Sequence, residues 1–251
     1  SKREGASRTE LSSHTDFRHL TNPDDMAAAH ALAERLSKSM RARLTRRMRA
    51  RRLGQKIDLR RTIHKSIAHG GTPLELVLRK RKDKPLRLVV LLDASGSMSL
   101  YSAIFLRFMH GVLENFREAE AFVFHTRLIH ISPALREKNA QRVSILAQGH
   151  GGGTRIGDSL ATFNRWHARR CITSRTCVMI VSDGYDTGTP DNLGAEMQAL
   201  RRRCKRIAWL NPMIGWHDYA PEAAGMKAAL PYVDLFAPAH NLQSLEALEP
   251  Y

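Results

Sequence analysis

Leu86-Arg87-Leu88-Val89-Val90-Leu91-Leu92-Asp93-Ala94-Ser95-Gly96-Ser97-Met98 is a nearly unbroken apolar run that ends abruptly in a small, oxygen-rich loop. Such a run, lacking the in–out alternation of a half-exposed strand, is the pattern of a strand covered on both faces in a parallel sheet. The chain beyond it alternates helix and strand. Helices are expected near 101–116, 156–169 and 191–203, with a last one from 241. Strands are expected at 120–125, 127–131, 176–182, 206–210 and 232–236. That order predicts an α/β fold, a doubly wound and mostly parallel sheet flanked by helices, preceded by a basic α-helical N-terminal extension. In such sheets ligands sit beyond the carboxyl ends of the strands where strand order reverses, so polar residues just after strands are the first place to look for function.

Three loops satisfy that condition. Asp93, Ser95 and Ser97 follow the first core strand in the order D-x-S-x-S. Gly151-Gly152-Gly153-Thr154-Arg155-Ile156-Gly157 precedes a helix, where glycines let the backbone approach a site and present the Thr154 hydroxyl. Asp183 follows Val178-Met179-Ile180-Val181-Ser182, a second buried strand. Carboxylate and hydroxyl oxygens are hard donors that suit Mg2+ or Mn2+, ions commonly held by one or two carboxylates, far better than zinc or copper. Taken alone, Asp and Ser after a strand also serve as helix caps. Around these loops Arg155, His150, Asp186 and Trp216 are the candidates for contacting a partner. Asp186 also reads as an Asx turn before Gly188, Arg155 as a cap of its own helix, and Trp209 as packing beneath the loops.

The set Asp93, Ser95, Ser97, Thr154 and Asp183 resembles the metal-ion-dependent adhesion site (MIDAS) of von Willebrand factor A (VWA) domains. That resemblance implies direct contact of the three hydroxyls with Mg2+, carboxylates acting directly or through water, and an acidic side chain of a partner completing the shell. A narrower resemblance, to the CoxE-like branch of VWA proteins, covers roughly residues 58–248 and rests on Asp58-Leu59-Arg60-Arg61-Thr62, Leu91 to Met98, Gly152 to Gly157, Ser182 to Gly188, Trp209-Leu210-Asn211-Pro212 and Leu230-Pro231-Tyr232-Val233-Asp234. It implies an accessory or maturation factor working with a MoxR-type AAA+ ATPase on a metalloenzyme client, such as a molybdenum-containing carbon monoxide dehydrogenase.

Other chemistries fit less well. The glycine-rich loop has no G-x-x-x-x-G-K-[ST] phosphate cradle, Ser95 has no G-x-S-x-G elbow, and His110, His125, His130, His150 and His167 show no metal-ligand spacing, so no enzymatic activity is expected. Cys171, Cys177 and Cys204 suit neither a disulfide framework nor a zinc site. No run of 18 apolar residues spans a membrane, and the first residues lack an apolar signal core; a cytoplasmic protein is expected.

The net charge of +16 is lopsided: residues 1–85 hold 22 Lys/Arg against 9 Asp/Glu, whereas residues 86–251 hold 18 against 15. Residues 1–21 read as a flexible lead-in, 22–83 as a basic helical extension with an edge strand near 74–79, and 84–251 as the VWA domain. Asn22-Pro23-Asp24-Asp25 is a helix start, and Leu32, Leu36, Met40, Leu44 and Met48 form its apolar stripe toward Gly54. The rival reading is a nucleic-acid-binding protein that grips phosphates with residues 35–61, which carry 12 Lys/Arg.

Overall fold

The computed structural model describes residues 16, 27, 31, 38, 56–57, 59–67, 78–79, 87–137, 153–215, 223–241 and 244. Two compact units emerge, one of residues 40–85 and one of residues 1–39 with 86–251. In the smaller unit, strands β1 (Lys56–Ile57) and β2 (Leu78–Arg79) pair antiparallel, and helix α1 (Leu59–Ile67) follows β1. The strand expected near 74–79 is therefore present at its end, paired in a two-stranded ribbon. Helix α1 lies in what reads as a merely basic stretch. Leu59, Ile63 and Ile67 recur at helical spacing, a signal masked by the cationic residues between them. The long helix expected after Asn22 and the lead-in before it lie almost wholly outside the described residues, as does nearly all of the helix expected from 241.

The larger unit is built on a six-stranded sheet in the order β5-β4-β3-β6-β7-β8. Its strands are β3 (Arg87–Asp93), β4 (Ala119–Phe124), β5 (Leu128–His130), β6 (Thr176–Val181), β7 (Arg206–Asn211) and β8 (Leu235–Pro238). All neighbours run parallel except the edge pair β4–β5. The sheet grows outward in both directions from β3 and β6, so its order reverses between those two strands. This is the doubly wound α/β architecture expected from the sequence.

Alternation along the strands divides the core into two faces. Val89 and Leu91, with Phe122, Phe124, Val178, Ile180, Ile207 and Trp209, join one buried cluster with residues of helices α4 (Ile156–Thr162), α6 (Pro190–Arg203) and α7 (Ala224–Ala229). Helix α2 (Ser99–Asn115) packs on the sheet as well, touching β3 and β4, and α3 (Ser132–Arg136) packs against α2. Helix α4 continues through a π-helical turn (Phe163–His167) into the short helix α5 (Ala168–Cys171). Helices α3 and α7 have no counterpart in the sequence reading: at five and six residues each, they are too short to show a helical period.

Trp209 is fully buried, and its indole N–H donates to the Ser182 carbonyl at 3.0 Å, tying the floor of the sheet to the loop after β6. Trp209→Phe removes that donor and leaves the carbonyl buried without it. The substitution is expected to lower unfolding free energy by roughly 1–3 kcal/mol in urea while keeping the far-UV spectrum. A change within about 0.5 kcal/mol would show that the bond contributes nothing.

Candidate metal centre

At the switch between β3 and β6 the chain leaves both strands in polar residues. Asp93 ends β3 and is fully buried, while Asp183, two residues past β6, is 1% exposed. Each carboxylate is held in the same way. Asp93 accepts the Ser95 backbone N–H on Oδ1 (2.9 Å) and the Ser182 hydroxyl on Oδ2 (2.7 Å). Asp183 accepts the Tyr185 N–H on Oδ1 (3.0 Å) and the Ser97 hydroxyl on Oδ2 (2.5 Å). In both loops the backbone donor lies two residues on, the turn that aspartate forms without help from the rest of the fold. Ser95 Oγ lies 3.0 Å from Ser97 Oγ, so a hydrogen-bonded chain runs from the first loop to the second.

The third loop reaches the same edge through its backbone. The Arg155 N–H donates to the His125 carbonyl beyond β4 (2.9 Å), and the Thr154 carbonyl accepts from both Thr187 N–H (2.8 Å) and Thr187 Oγ (2.9 Å). Close approach needs glycine here, because a Cβ on Gly153 would overlap the Thr187 side chain. Gly184, at φ +83°, turns the loop after Asp183 in the left-handed region. Thr154 is buried. The loops bearing all five predicted ligands thus meet at one edge. Among them Ser95, Ser97 and Asp183 are joined side chain to side chain and Asp93 joins through the Ser95 backbone, whereas Thr154 is tied instead to the loop after Asp183, by its carbonyl bonds from Thr187.

Of the candidate partner contacts, Asp186 has structural work. Its carboxylate accepts the N–H groups of Ile156 (3.0 Å), Gly157 (3.3 Å) and Gly188 (3.1 Å). The last is the Asx turn expected from the sequence, while the first two cap the start of α4 from another loop. Arg155 is exposed, sits at the N-cap of α4 and pairs with Asp158 at 3.1 Å. His150 and Trp216 lie outside the described residues. The sequence reading missed Ser182, which orients Asp93, and Asn211, whose amide donates to the Asp183 carbonyl at 3.0 Å. Both stand in quoted motifs, but nothing in a single sequence separates a bracing residue from its neighbours. It also missed the convergence of His130 and His167, whose rings both pack against Phe122, with His130 bonded to Glu120 at 2.7 Å.

Burial raises the Asp93 carboxyl to about 6, and the nearby Asp183 charge adds to the rise, against lowering by the Ser182 and Ser95 hydrogen bonds. Asp183 is raised as well, chiefly by burial. Two adjacent buried carboxylates are costly without a compensating positive charge. A hard dication would supply it, and the surrounding hydroxyls are the donors such an ion takes. With two carboxylates and three hydroxyls and neither His nor Cys, this donor set is not one for zinc. On chemistry and burial, Ser95, Ser97, Thr154, Asp93 and Asp183 fit Mg2+ or Mn2+.

A doubly wound sheet with an oxygen-rich site at its switch point defines the class: a von Willebrand A-type α/β domain. The family of VWA domain containing CoxE-like proteins matches residues 28–245, and the chain belongs to it. Among solved structures it is similar to a von Willebrand factor type A protein from Catenulispora acidiphila, at 16% identity and a TM-score of 0.49, covering 70% of this chain and 43% of that one. It is also similar to an aerotolerance-related membrane protein from Bacteroides fragilis NCTC 9343, at 15% identity and a TM-score of 0.46, covering 66% of this chain and 97% of that one. The chain thus spans less than half the length of the Catenulispora protein. No curated protein matches it in sequence.

The raised Asp93 carboxyl makes a signed prediction. A carboxyl that binds its proton more tightly folded than unfolded contributes stability below its ordinary value of 3.8, and that contribution is lost as pH rises through about 6. In chelator, unfolding free energy is expected to fall by up to about 3 kcal/mol across that window, and Asp93→Asn to remove most of the slope. Equal slopes in the two proteins would contradict the assignment. Separately, Asp186→Ala strips the cap from α4 and is expected to cost about 1 kcal/mol in urea unfolding; an unchanged midpoint would mean the cap is idle.

Proposed function

We propose that this chain is a metal-dependent adaptor that binds proteins rather than catalysing a reaction. The observation that carries the reading is the pair of buried carboxylates, one of them bonded by the hydroxyl of Ser97, an exposed residue. Ser95, Ser97 and Thr154 would hold Mg2+ or Mn2+ through their hydroxyls, with Asp93 and Asp183 balancing its charge directly or through water. Such an ion would supply a hard, oxygen-seeking centre able to take a carboxylate of a partner. Asp93 and Asp183 have fixed rotamers before any ion arrives, because each is already held by a backbone N–H and a hydroxyl. Ser97 donates its hydroxyl to Asp183 and would offer the same oxygen to an ion, and Asp186 keeps the Thr154 loop in register by capping α4.

Membership of the CoxE-like family supports the further reading: an accessory factor acting in the cytoplasm with a MoxR-type AAA+ ATPase in the maturation of a metalloenzyme, such as a molybdenum-containing carbon monoxide dehydrogenase. No helix among the described residues is long and apolar enough to cross a membrane. The lopsided charge favours one alternative, nucleic-acid binding by residues 35–61 with the α/β domain as scaffold. That binding would fall steeply with salt and ignore chelators.

Titration calorimetry with Mg2+ and Mn2+ is expected to show one saturable site in the wild type, absent in Asp93→Ala and Asp183→Ala proteins that remain folded. Binding of a short acidic peptide, or of the candidate ATPase, is expected to need the metal and to vanish in both variants. Partner binding unchanged by chelator and by both substitutions would refute the adaptor mechanism.

A further inference from the structure

The opposite edge of the same sheet has the opposite charge. Helices α5 and α6 end there and strands β3, β6 and β7 begin there, and register brings their ends together: Arg87 lies beside Thr176, Arg206 beside Cys177, and the Lys205 N–H donates to the Thr176 carbonyl at 2.8 Å. Two carboxylates of this edge are already engaged by inner cations, Glu118 by Arg87 at 2.9 Å and Asp234 by Arg201 at 3.0 Å. Outside them stand Arg169, Arg170, Arg202, Lys205 and Arg206, all exposed, and none has a carboxylate within ion-pair distance among the described residues. The patch continues onto the π-helical turn, because Arg203 at the end of α6 donates to the Asn164 carbonyl at 2.8 Å. There Trp166 is 68% exposed, with the Arg165 guanidinium 5.0 Å from its ring. In the larger unit only Trp166 and Tyr185 are large apolar residues so exposed, among those described.

We propose that this basic edge is a second docking surface, which takes an acidic, Asp/Glu-rich protein segment independently of the metal. Charge complementarity sets the sign of the partner, and composition sets its kind. The outer cations are arginines apart from Lys205, and they flank an exposed tryptophan. Arginine and tryptophan are the residues that protein interfaces concentrate, while lysine is depleted there. The planar guanidinium also grips a carboxylate at two points, which an ammonium cannot. A track for single-stranded nucleic acid would need several aromatic platforms in a row, and this edge has one. Strand β6 is six residues long, which separates the two edges by about 20 Å. One acidic partner at the metal and another at the basic edge can therefore be held at once, which deepens an adaptor into a bridge but does not require the metal reading to hold.

The test uses the full chain and a labelled glutamate-rich peptide, with fluorescence anisotropy in chelator at low salt. The triple variant Arg169→Gln, Arg202→Gln, Arg206→Gln removes three edge cations at exposed positions, and its far-UV spectrum and thermal midpoint report the fold. If the neutral triple unfolds, the single variant Arg202→Gln replaces it. A control triple, Arg43→Gln, Arg46→Gln, Arg47→Gln, removes the same charge from the basic N-terminal block. The edge triple is expected to weaken binding about tenfold, and the control triple much less. Equal losses in the two triples, or loss only in the control, would overturn the proposal, as would peptide binding abolished by chelator. Duplex DNA or phosphatidylserine vesicles binding the edge more tightly than the peptide would overturn the choice of an acidic protein.

Discussion

Two carboxylates buried side by side at the switch point of a parallel sheet are the constraint around which this domain is arranged. Taking Asp93 and Asp183 out of water opposes their ionisation, and the Asp183 charge adds to the difficulty for Asp93. The fold offsets that cost locally, with an i+2 backbone donor and one hydroxyl for each carboxylate. The braces extend outward from there: Trp209 holds the Ser182 carbonyl, Asn211 holds the Asp183 carbonyl, and Asp186 fastens the Thr154 loop by capping α4. Much of the polar structure at this edge serves to keep two negative charges in a place that disfavours them. Burial that penalises a carboxylate also strengthens its hold on a cation, so the arrangement accords with the binding function proposed above.

Charge is divided along the strands. The carboxyl ends of β3 and β6 carry Asp93, Asp183 and Asp186, and the amino ends of β3 and β7 carry Arg87, Lys205 and Arg206 with the arginines that close α5 and α6. Part of this follows from helix physics, because cations favour helix C-termini, and α6 ends in Arg201, Arg202 and Arg203. The outward set exceeds that need, since Arg201 and Arg87 already satisfy the carboxylates nearby. The small positive balance of residues 86–251 therefore conceals two strongly charged ends.

The sheet was legible because its signal is collective. The apolar runs at 88–92 and 178–181 have no reading but a strand covered on both sides, and the intervening periodic segments fell into place as α2, α4 and α6. Helices α3 and α7 escaped because five or six residues cannot display a 3.6-residue period, and α1 because its apolar stripe is diluted by Arg60, Arg61 and Lys65. At the site, residue type and loop position nominated Asp93, Ser95, Ser97, Thr154 and Asp183, whose loops the fold brings to one edge. Roles that depend on the third dimension were not accessible: Asp186 reads locally as an Asx turn, yet it also reaches across to the N–H groups of Ile156 and Gly157. Nor could spacing reveal that His130 and His167, 37 positions apart, share the ring of Phe122.

The central claim is that an ion held by Asp93, Ser95, Ser97, Thr154 and Asp183 keeps a position open for a carboxylate from outside. Water-proton relaxation of the Mn2+-loaded chain tests it most directly, since the signal reports exchangeable water on the ion. The account predicts a strong enhancement that is lost in Asp183→Ala and quenched when an acidic peptide is added but not when its amidated, glutamine-substituted counterpart is. An enhancement indifferent to both the substitution and the peptide would place the ion elsewhere and contradict the account.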